Sequence, residues 1–147
     1  MTKLNARAEL EIARPADVLY AIITDYAGRR QRIMPSAYQD YAVDDSTGEP
    51  VTVVRWVLHV GNHRRPYEMQ VSRRVDERRA VERDMHSSFT TEWQVIPLGN
   101  SSRVSLASAW QQRSHGFPAF FERIFAPRSL ARLHAETLQR LAAEAAD

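Results

Sequence analysis

The chain has 147 residues, of which 44% are hydrophobic and 26% charged, the balance of a globular domain rather than of a disordered segment. Its formal net charge of +2 does not favour nucleic-acid binding, and no apolar run approaches the roughly 18 residues that a membrane span requires. The absence of cysteine excludes disulfides, thiolate metal sites and a cysteine nucleophile.

The N-terminal residues alternate between polar and apolar side chains. From Leu4 to Ile12 every second residue is apolar, which predicts a strand with one solvated face. Because this alternation lacks the unbroken apolar stretch of a secretory signal, we expect a cytoplasmic protein. Pro15 and Asp17 then suit the first turn of a helix. The apolar stripe of that helix comprises Val18, Leu19, Ile22, Ile23 and Tyr26.

A basic loop ending at Pro35 leads to six further strands, each bounded by turn-forming residues. Their predicted ranges are 38–43, 51–60, 67–75, 80–87, 89–96 and 103–111. Because the connections between successive strands are short, the strands are expected to pair as an antiparallel meander. Alternation along the strands assigns inward-facing side chains, among them Trp56, Leu58, Tyr67, Met69, Met85, Thr91, Trp93, Ser108 and Trp110.

The apolar period becomes helical from Gly116 onward, and Pro127 is expected to break or kink this region into a short helix and a long one. The long C-terminal helix is the only element able to cover the apolar face of the sheet. The sequence therefore predicts an α+β fold in one domain spanning residues 1–147, with a curved antiparallel sheet of about seven strands around that helix. The aromatic and methionine side chains exceed what two thin layers need, which predicts an internal apolar cavity.

Two stretches of the chain carry a family resemblance. The first is Leu10-Glu11-Ile12-Ala13-Arg14-Pro15-Ala16-Asp17-Val18 followed by Thr24-Asp25-Tyr26, and the second contains Phe89, Trp93, Pro97, Gly99, Ser102, Arg103 and Val104. They resemble the START-like, or SRPBCC, superfamily of helix-grip proteins, and within it the polyketide cyclase/dehydrase and lipid transport group. The resemblance implies the helix-grip fold, but members include cyclases, lipid carriers, quinone-binding proteins and receptors. A tryptophan common in the family is replaced here by Ile33-Met34-Pro35.

The leading functional prediction is the binding or transport of a small hydrophobic or aromatic ligand, such as a lipid, an isoprenoid quinone or a polyketide-like molecule. This prediction depends on a preformed pocket with a volume of roughly 300 Å³ or more, and a filled core without such a pocket would remove its basis. The predicted ligand contacts are Trp56, Leu58, Tyr67, Met69, Met85, Trp93, Trp110, Leu130, His134 and Thr137. No cofactor or metal is predicted, because the histidines lack the spacing and carboxylates of common zinc sites.

Two other functions stay open. A polyketide aromatase/cyclase or dehydratase would use Tyr67 and His134 as proton donor and acceptor. The predicted inward set contains no Arg, Asp or Glu, which favours binding over catalysis, although a register shift of one residue would bring Arg55 or Arg83 inside. A protein-interaction module would instead use the arginine-rich surface to contact an acidic partner or a membrane. Both a monomer and a homodimer are compatible with the sequence.

Overall fold

The computed structural model describes residues 2–44, 51–112 and 126–146. Within these ranges the elements are β1 (Thr2–Ile12), α1 (Ala16–Thr24), β2 (Tyr38–Val43), β3 (Val53–Val60), β4 (His63–Arg74), β5 (Arg79–Asp84), β6 (Thr90–Leu98), β7 (Ser101–Gln112) and α2 (Ala126–Ala145). Short 3-10 helices span Arg29–Ile33 and Val75–Glu77. Neither α-helix in the described ranges combines the length and apolar character needed to cross a bilayer.

The seven described strands form one antiparallel sheet in the order β1-β7-β6-β5-β4-β3-β2. Strands β2 to β7 pair with their neighbours in sequence, and β1 lies at one edge of the sheet, where it pairs with β7. The α2 helix packs against β1 and β7 and against the 3-10 helix before β2. The predicted meander, the strand number and the grip of the curved sheet on a C-terminal helix are confirmed.

The alternation seen in the sequence becomes the two faces of the sheet. On β1, Leu4 and Ala6 are buried while Lys3 and Asn5 are exposed. Leu4 pairs across the strands with Trp110, which is also buried. Side chains of such pairs stand close enough to contact each other, so burial of one face fixes the register of the strands.

The described part of the C-terminal helix begins at Ala126, so Pro127 lies at its N-terminal end, where a missing amide N–H leaves no helical hydrogen bond unmade. The predicted break or kink at Pro127 concerns the junction with residues outside the described ranges, so it stays a prediction. The short helical segment predicted from Gly116 lies outside the described residues.

The residues of β5 that face the core are not those that the sequence predicted. Ala80, Glu82 and Asp84 are buried, whereas Met85 lies beyond the end of the strand and is 53% exposed. The prediction that Met85 faces the core is wrong because Glu82 turns inward to pair with Arg30. That pair also overturns the prediction of an interior without arginine or glutamate.

The two arginines whose orientation depended on strand register both lie outside the core. Arg55 is half-exposed and its Nε donates to the Oε2 atom of Glu68 at 2.8 Å. Arg83 is exposed on β5. The charged side chains in the interior are therefore not the ones that the strand pattern identified as candidates.

The buried side chains form two apolar clusters. One joins α1 and the C-terminal part of α2 to β5, β6 and β7, and it includes Leu19, Ile22, Trp93, Leu138 and Leu141. The other joins the N-terminal part of α2 to β3, β4 and β7, and it includes Trp56, Tyr67, Met69, Trp110 and Leu130. Residues from both clusters line the cleft described below.

Candidate functional site

A cleft lies between the concave face of the sheet and α2, and its walls are largely apolar. The aromatic side chains in its lining are Tyr38, Trp56, Tyr67, Phe89 and Trp93, and the aliphatic ones are Met34, Leu58, Leu106 and Leu130. The cavity volume is about 20 Å³, which is space for about one water molecule. This volume is far below the roughly 300 Å³ expected of a preformed pocket, so the described conformation has no room for a larger ligand.

Seven of the ten predicted ligand contacts line this cleft. They are Trp56, Leu58, Tyr67, Trp93, Leu130, His134 and Thr137. Met69 and Trp110 are buried but lie outside its lining, and Met85 is on the surface. The part that these residues play in binding stays a prediction.

The aromatic wall of the cleft is a continuous row of rings from neighbouring strands. The Trp56 ring centre lies 5.8 Å from that of Tyr38 and 6.4 Å from that of Tyr67. Tyr67 in turn lies 4.9 Å from Phe89. Trp56 and Tyr67 are direct cross-strand partners, so the register of β3 and β4 places these rings side by side.

The polar part of the lining contains a buried ion pair. Arg30 donates through Nη1 to Oε2 of Glu82 at 2.6 Å and through Nη2 to Oε1 at 3.2 Å. The hydroxyl of Tyr26 donates to the same Oε2 at 2.6 Å. The side chains of Arg30 and Glu82 are only 3% and 1% exposed. The carboxylate is therefore paired and hydrogen-bonded, as a buried charge requires.

Arg30 is also held by aromatic rings. Its guanidinium carbon lies 5.0 Å from the ring centre of Tyr26 and 4.9 Å from that of Trp93. Burial opposes the positive charge, but the Glu82 carboxylate outweighs that effect and raises the pKa of Arg30. The same burial, together with the negative charge of Glu82, raises the pKa of Tyr26 well above its usual value. The lining of the cleft therefore contains an arginine cation paired with a carboxylate, and the neutral phenol of Tyr26 is hydrogen-bonded to that carboxylate behind the lining.

A chain of three hydrogen-bonding side chains connects the sheet to α2. Thr91 on β6 shares a hydrogen bond with Ser108 on β7, with 2.7 Å between their hydroxyl oxygens. Ser108 Oγ lies 2.8 Å from Nε2 of His134 on α2. Burial and the positive charge of Arg30 lower the pKa of His134 to about 4, so its imidazole is neutral near pH 7.

Three buried nitrogen atoms of the lining have no hydrogen-bond partner among the described residues. They are Nε1 of Trp93, Nδ1 of His134 and Nε of Arg30. Buried polar groups in folded proteins are nearly always paired, and an unpaired one costs about 1 to 3 kcal/mol. These atoms are closed off from solvent in this conformation, so a water molecule or a ligand oxygen could pair with them only after the cleft had widened. Thr137 differs in this respect, because its hydroxyl donates to the Leu133 carbonyl oxygen at 2.7 Å.

Sequence reasoning missed Arg30, Glu82, Thr91 and Ser108 as site residues. The strand pattern already placed Thr91 and Ser108 on the inward face. Two polar side chains on an otherwise apolar face are a signal that could have identified them as site residues. Arg30 lies in the 3-10 helix that the sequence presented as a basic loop. No local signal distinguishes it from its neighbour Arg29, which is bound to Glu144 outside the cleft.

Several of the surface arginines are paired with acidic residues. Arg78 contacts Asp17 at 2.7 Å, and Arg79 contacts both Glu77 and Glu92. These pairs reduce the net positive field that an interaction module would present to an acidic partner. Over the described ranges, no group of three or more histidine and acidic side chains is arranged to hold a metal ion.

Comparisons with known proteins agree on the architecture. The sequence matches the family model described as polyketide cyclase/dehydrase and lipid transport over residues 3–146. The solution structure of the KanY protein is 29% identical with a TM-score of 0.84, and the similarity covers 100% of both chains. The ZhuI aromatase/cyclase from Streptomyces sp. R1128 is 15% identical with a TM-score of 0.82, covering 99% of this chain and 94% of that one.

A START superfamily protein from Mycobacterium smegmatis is 14% identical with a TM-score of 0.62, covering 95% of this chain and 92% of the other. At 14% and 15% identity, the similarity to this protein and to the ZhuI enzyme shows the fold alone. No curated protein matches the sequence.

Proposed function

This chain belongs to the polyketide cyclase/dehydrase and lipid transport family of the START-like superfamily, and from that premise we propose that it binds a small hydrophobic or aromatic ligand in the cleft beneath α2. The observation that carries the proposal is a set of three nitrogen atoms beside an aromatic wall, on Trp93, His134 and Arg30, which lack a hydrogen-bond partner among the described residues. Ligand sites typically combine an apolar lining with a few convergent polar groups. A ligand with an oxygen atom at one end, such as a quinone or a polyketide-like molecule, matches both parts.

Binding requires the cleft to widen, because its volume is about 20 Å³. Tyr38 and Leu58 are the half-buried members of the lining, whereas the deeper aromatic residues are fully buried. Side chains with fewer packed neighbours change rotamer at lower cost than core side chains. The walls are therefore expected to part first at Tyr38 and Leu58 when a ligand enters.

The first experiment is native mass spectrometry of freshly purified protein, followed by solvent extraction of any bound molecule. We expect a defined co-purifying ligand with an apolar body and at least one carbonyl or hydroxyl oxygen. An empty protein whose melting temperature is unchanged by lipids, quinones and aromatic polyketides would contradict the proposal.

A second experiment tests the polar end of the cleft with the hydroxylated anthraquinone emodin, measured by isothermal titration calorimetry. The change Trp93→Phe removes the unpaired Nε1–H donor, so we expect emodin binding to weaken about tenfold. Trp110→Phe is the matched control, because Trp110 is also buried in the core but does not line the cleft. Equal losses in the two variants would show that aromatic bulk, not the donor, determines affinity.

A catalytic role as a dehydratase or cyclase is the second candidate, and it rests on the Nδ1 atom of His134, which has no hydrogen-bond partner among the described residues. The lowered pKa of His134 keeps the imidazole neutral but also weakens it as a base. A neutral imidazole with Nε2 bound to Ser108 and Nδ1 unpaired can accept a proton from the carbon next to a ligand carbonyl. Tyr67 lines the same cleft and can donate a proton to a departing hydroxyl group, so that a C–H and a C–O bond break, a C=C bond forms and water leaves. The sequence favoured binding over catalysis because no Arg, Asp or Glu was predicted to face inward. Arg30 and Glu82 are both buried in the lining, so that reason no longer holds.

The catalytic candidate is tested with a β-hydroxyketone whose loss of water is followed by absorbance of the enone. Changing His134 to Gln is expected to reduce turnover at least about a hundredfold, because positioned acid–base groups contribute that much. Tyr67→Phe is expected to have a comparable effect. Turnover that survives both changes together would eliminate this mechanism while leaving ligand binding intact.

A further inference from the structure

The tip of the hairpin formed by β3 and β4 carries positive charge that no carboxylate among residues 2–44, 51–112 and 126–146 balances. No acidic residue occurs from Val51 to Tyr67, and the next one along the chain, Glu68, is bound to Arg55. Arg64 and Arg65 follow the hairpin turn and are both exposed. In the part of the chain that the structure describes, neither lies within ion-pair distance of a carboxylate.

The two arginines lie on opposite faces of the sheet. Tyr67 is buried on the concave face, so alternation places Arg65 on that face and Arg64 on the convex one. The guanidinium carbon of Arg65 lies 5.0 Å from the ring centre of Tyr67, and its cross-strand partner is Leu58. Because Tyr67 and Leu58 both line the cleft, Arg65 lies at its rim.

The stacking of Arg65 on Tyr67 orients the guanidinium group. A guanidinium that rests on an aromatic ring keeps its N–H edges available, and those edges match the oxygen pairs of carboxylate, sulfonate and phosphate groups. A ligand whose apolar body occupied the cleft would place a terminal anion about one residue pair, roughly 7 Å, beyond Tyr67 along the strand.

We propose that Arg65 binds the anionic group of the ligand, so that the preferred ligands are amphipathic anions with an apolar or aromatic body. This inference rests on the proposed function and narrows its ligand class. It also accounts for the stacking of an exposed arginine on an aromatic residue of the lining, within a stretch of the sequence, 51–67, that contains no acidic residue.

Two fluorescent probes with the same ring system test the inference. One is 8-anilinonaphthalene-1-sulfonate, which carries a sulfonate, and the other is the uncharged N-phenyl-1-naphthylamine. Arg65→Gln is expected to weaken sulfonate binding about tenfold and to change binding of the neutral probe by less than about twofold. Arg64→Gln is the matched control, since it removes the same charge from the same hairpin but from the other face. It is expected to leave both dissociation constants within about twofold.

The outcomes separate this inference from the proposed function. Equal effects of the two variants on binding of the sulfonate probe would show a non-specific electrostatic attraction by the positively charged hairpin, and would overturn the inference. An equal loss for both probes in Arg65→Gln would assign Arg65 a packing role and would also overturn it. If wild-type protein binds the neutral probe and not the sulfonate, ligand binding stands and the role of Arg65 fails. If neither probe binds, the proposed function fails and this inference fails with it.

Discussion

Replacing Glu82 by alanine is expected to lower the free energy of unfolding by about 3 to 5 kcal/mol. The change leaves the Arg30 guanidinium buried without its counter-ion and removes the acceptor of the Tyr26 hydroxyl. Removing one partner of a buried ion pair has a cost of this size because the remaining charge stays desolvated. Urea unfolding followed by far-ultraviolet circular dichroism at neutral pH measures the change.

Glu92→Ala provides the control for that experiment. Glu92 also lies in the sheet and also contacts an arginine, Arg79, but the side chains of this pair are about a third exposed. An exposed pair contributes about 0 to 1 kcal/mol, so the control should differ little from the wild type. The double change of Arg30 to Met and Glu82 to Leu is expected to regain most of the lost stability, because it leaves no unpaired charge. A double variant as unstable as Glu82→Ala would contradict this account.

Acidification is expected to destabilise the protein through His134. Its pKa is lowered to about 4 in the folded state, against 6.5 for an ordinary histidine, so below pH 6.5 the unfolded chain binds a proton that the folded chain does not. The contribution of this residue to stability is complete above pH 6.5 and is lost as the pH falls from 6.5 towards 4. A shift of that size corresponds to a loss of roughly 3 kcal/mol once the pH is below both values.

The His134→Gln variant isolates this effect from the carboxylates that also titrate in acid. Glutamine retains a polar group that can contact Ser108 but takes up no proton in this range. Between about pH 7 and pH 4 the wild type should therefore lose about 3 kcal/mol more than His134→Gln, as measured by urea unfolding. A wild type and a His134→Gln variant with the same pH dependence would show that folding does not lower the pKa of His134.

The parts of the fold that depend on local pattern could be predicted from the sequence. The inward positions of Trp56, Tyr67, Trp93 and Trp110 follow from an alternation that each strand carries within itself. The apolar period around Leu138 in the same way defines the buried face of α2. Each of these assignments needs only the residues of one element, and the structure confirms them.

The charged half of the site could not be predicted because it depends on contacts between distant residues. The sequence separation of Arg30 and Glu82 is 52 residues, so no window of the chain contains both partners. On β5 the apolar Val81 and Met85 share one parity and Glu82 and Asp84 the other, so hydrophobicity alone selects the wrong face. The ion pair decides the register there, and the same pair introduces polar character into a cavity that was expected to be apolar.

The unpaired nitrogen atoms of Trp93, His134 and Arg30 also bear on how this sequence would change under artificial selection. Trp93→Phe would remove one such buried group, whose missing partner costs about 1 to 3 kcal/mol, whereas an apolar residue in place of Arg30 alone would leave Glu82 unpaired. A library selected for heat resistance alone would therefore be expected to accumulate substitutions around the cleft before it altered the sheet, and the variants that survived would be stable proteins with a sealed interior. The natural sequence keeps these polar groups in spite of their cost in stability, as expected if selection maintains the cleft for a function.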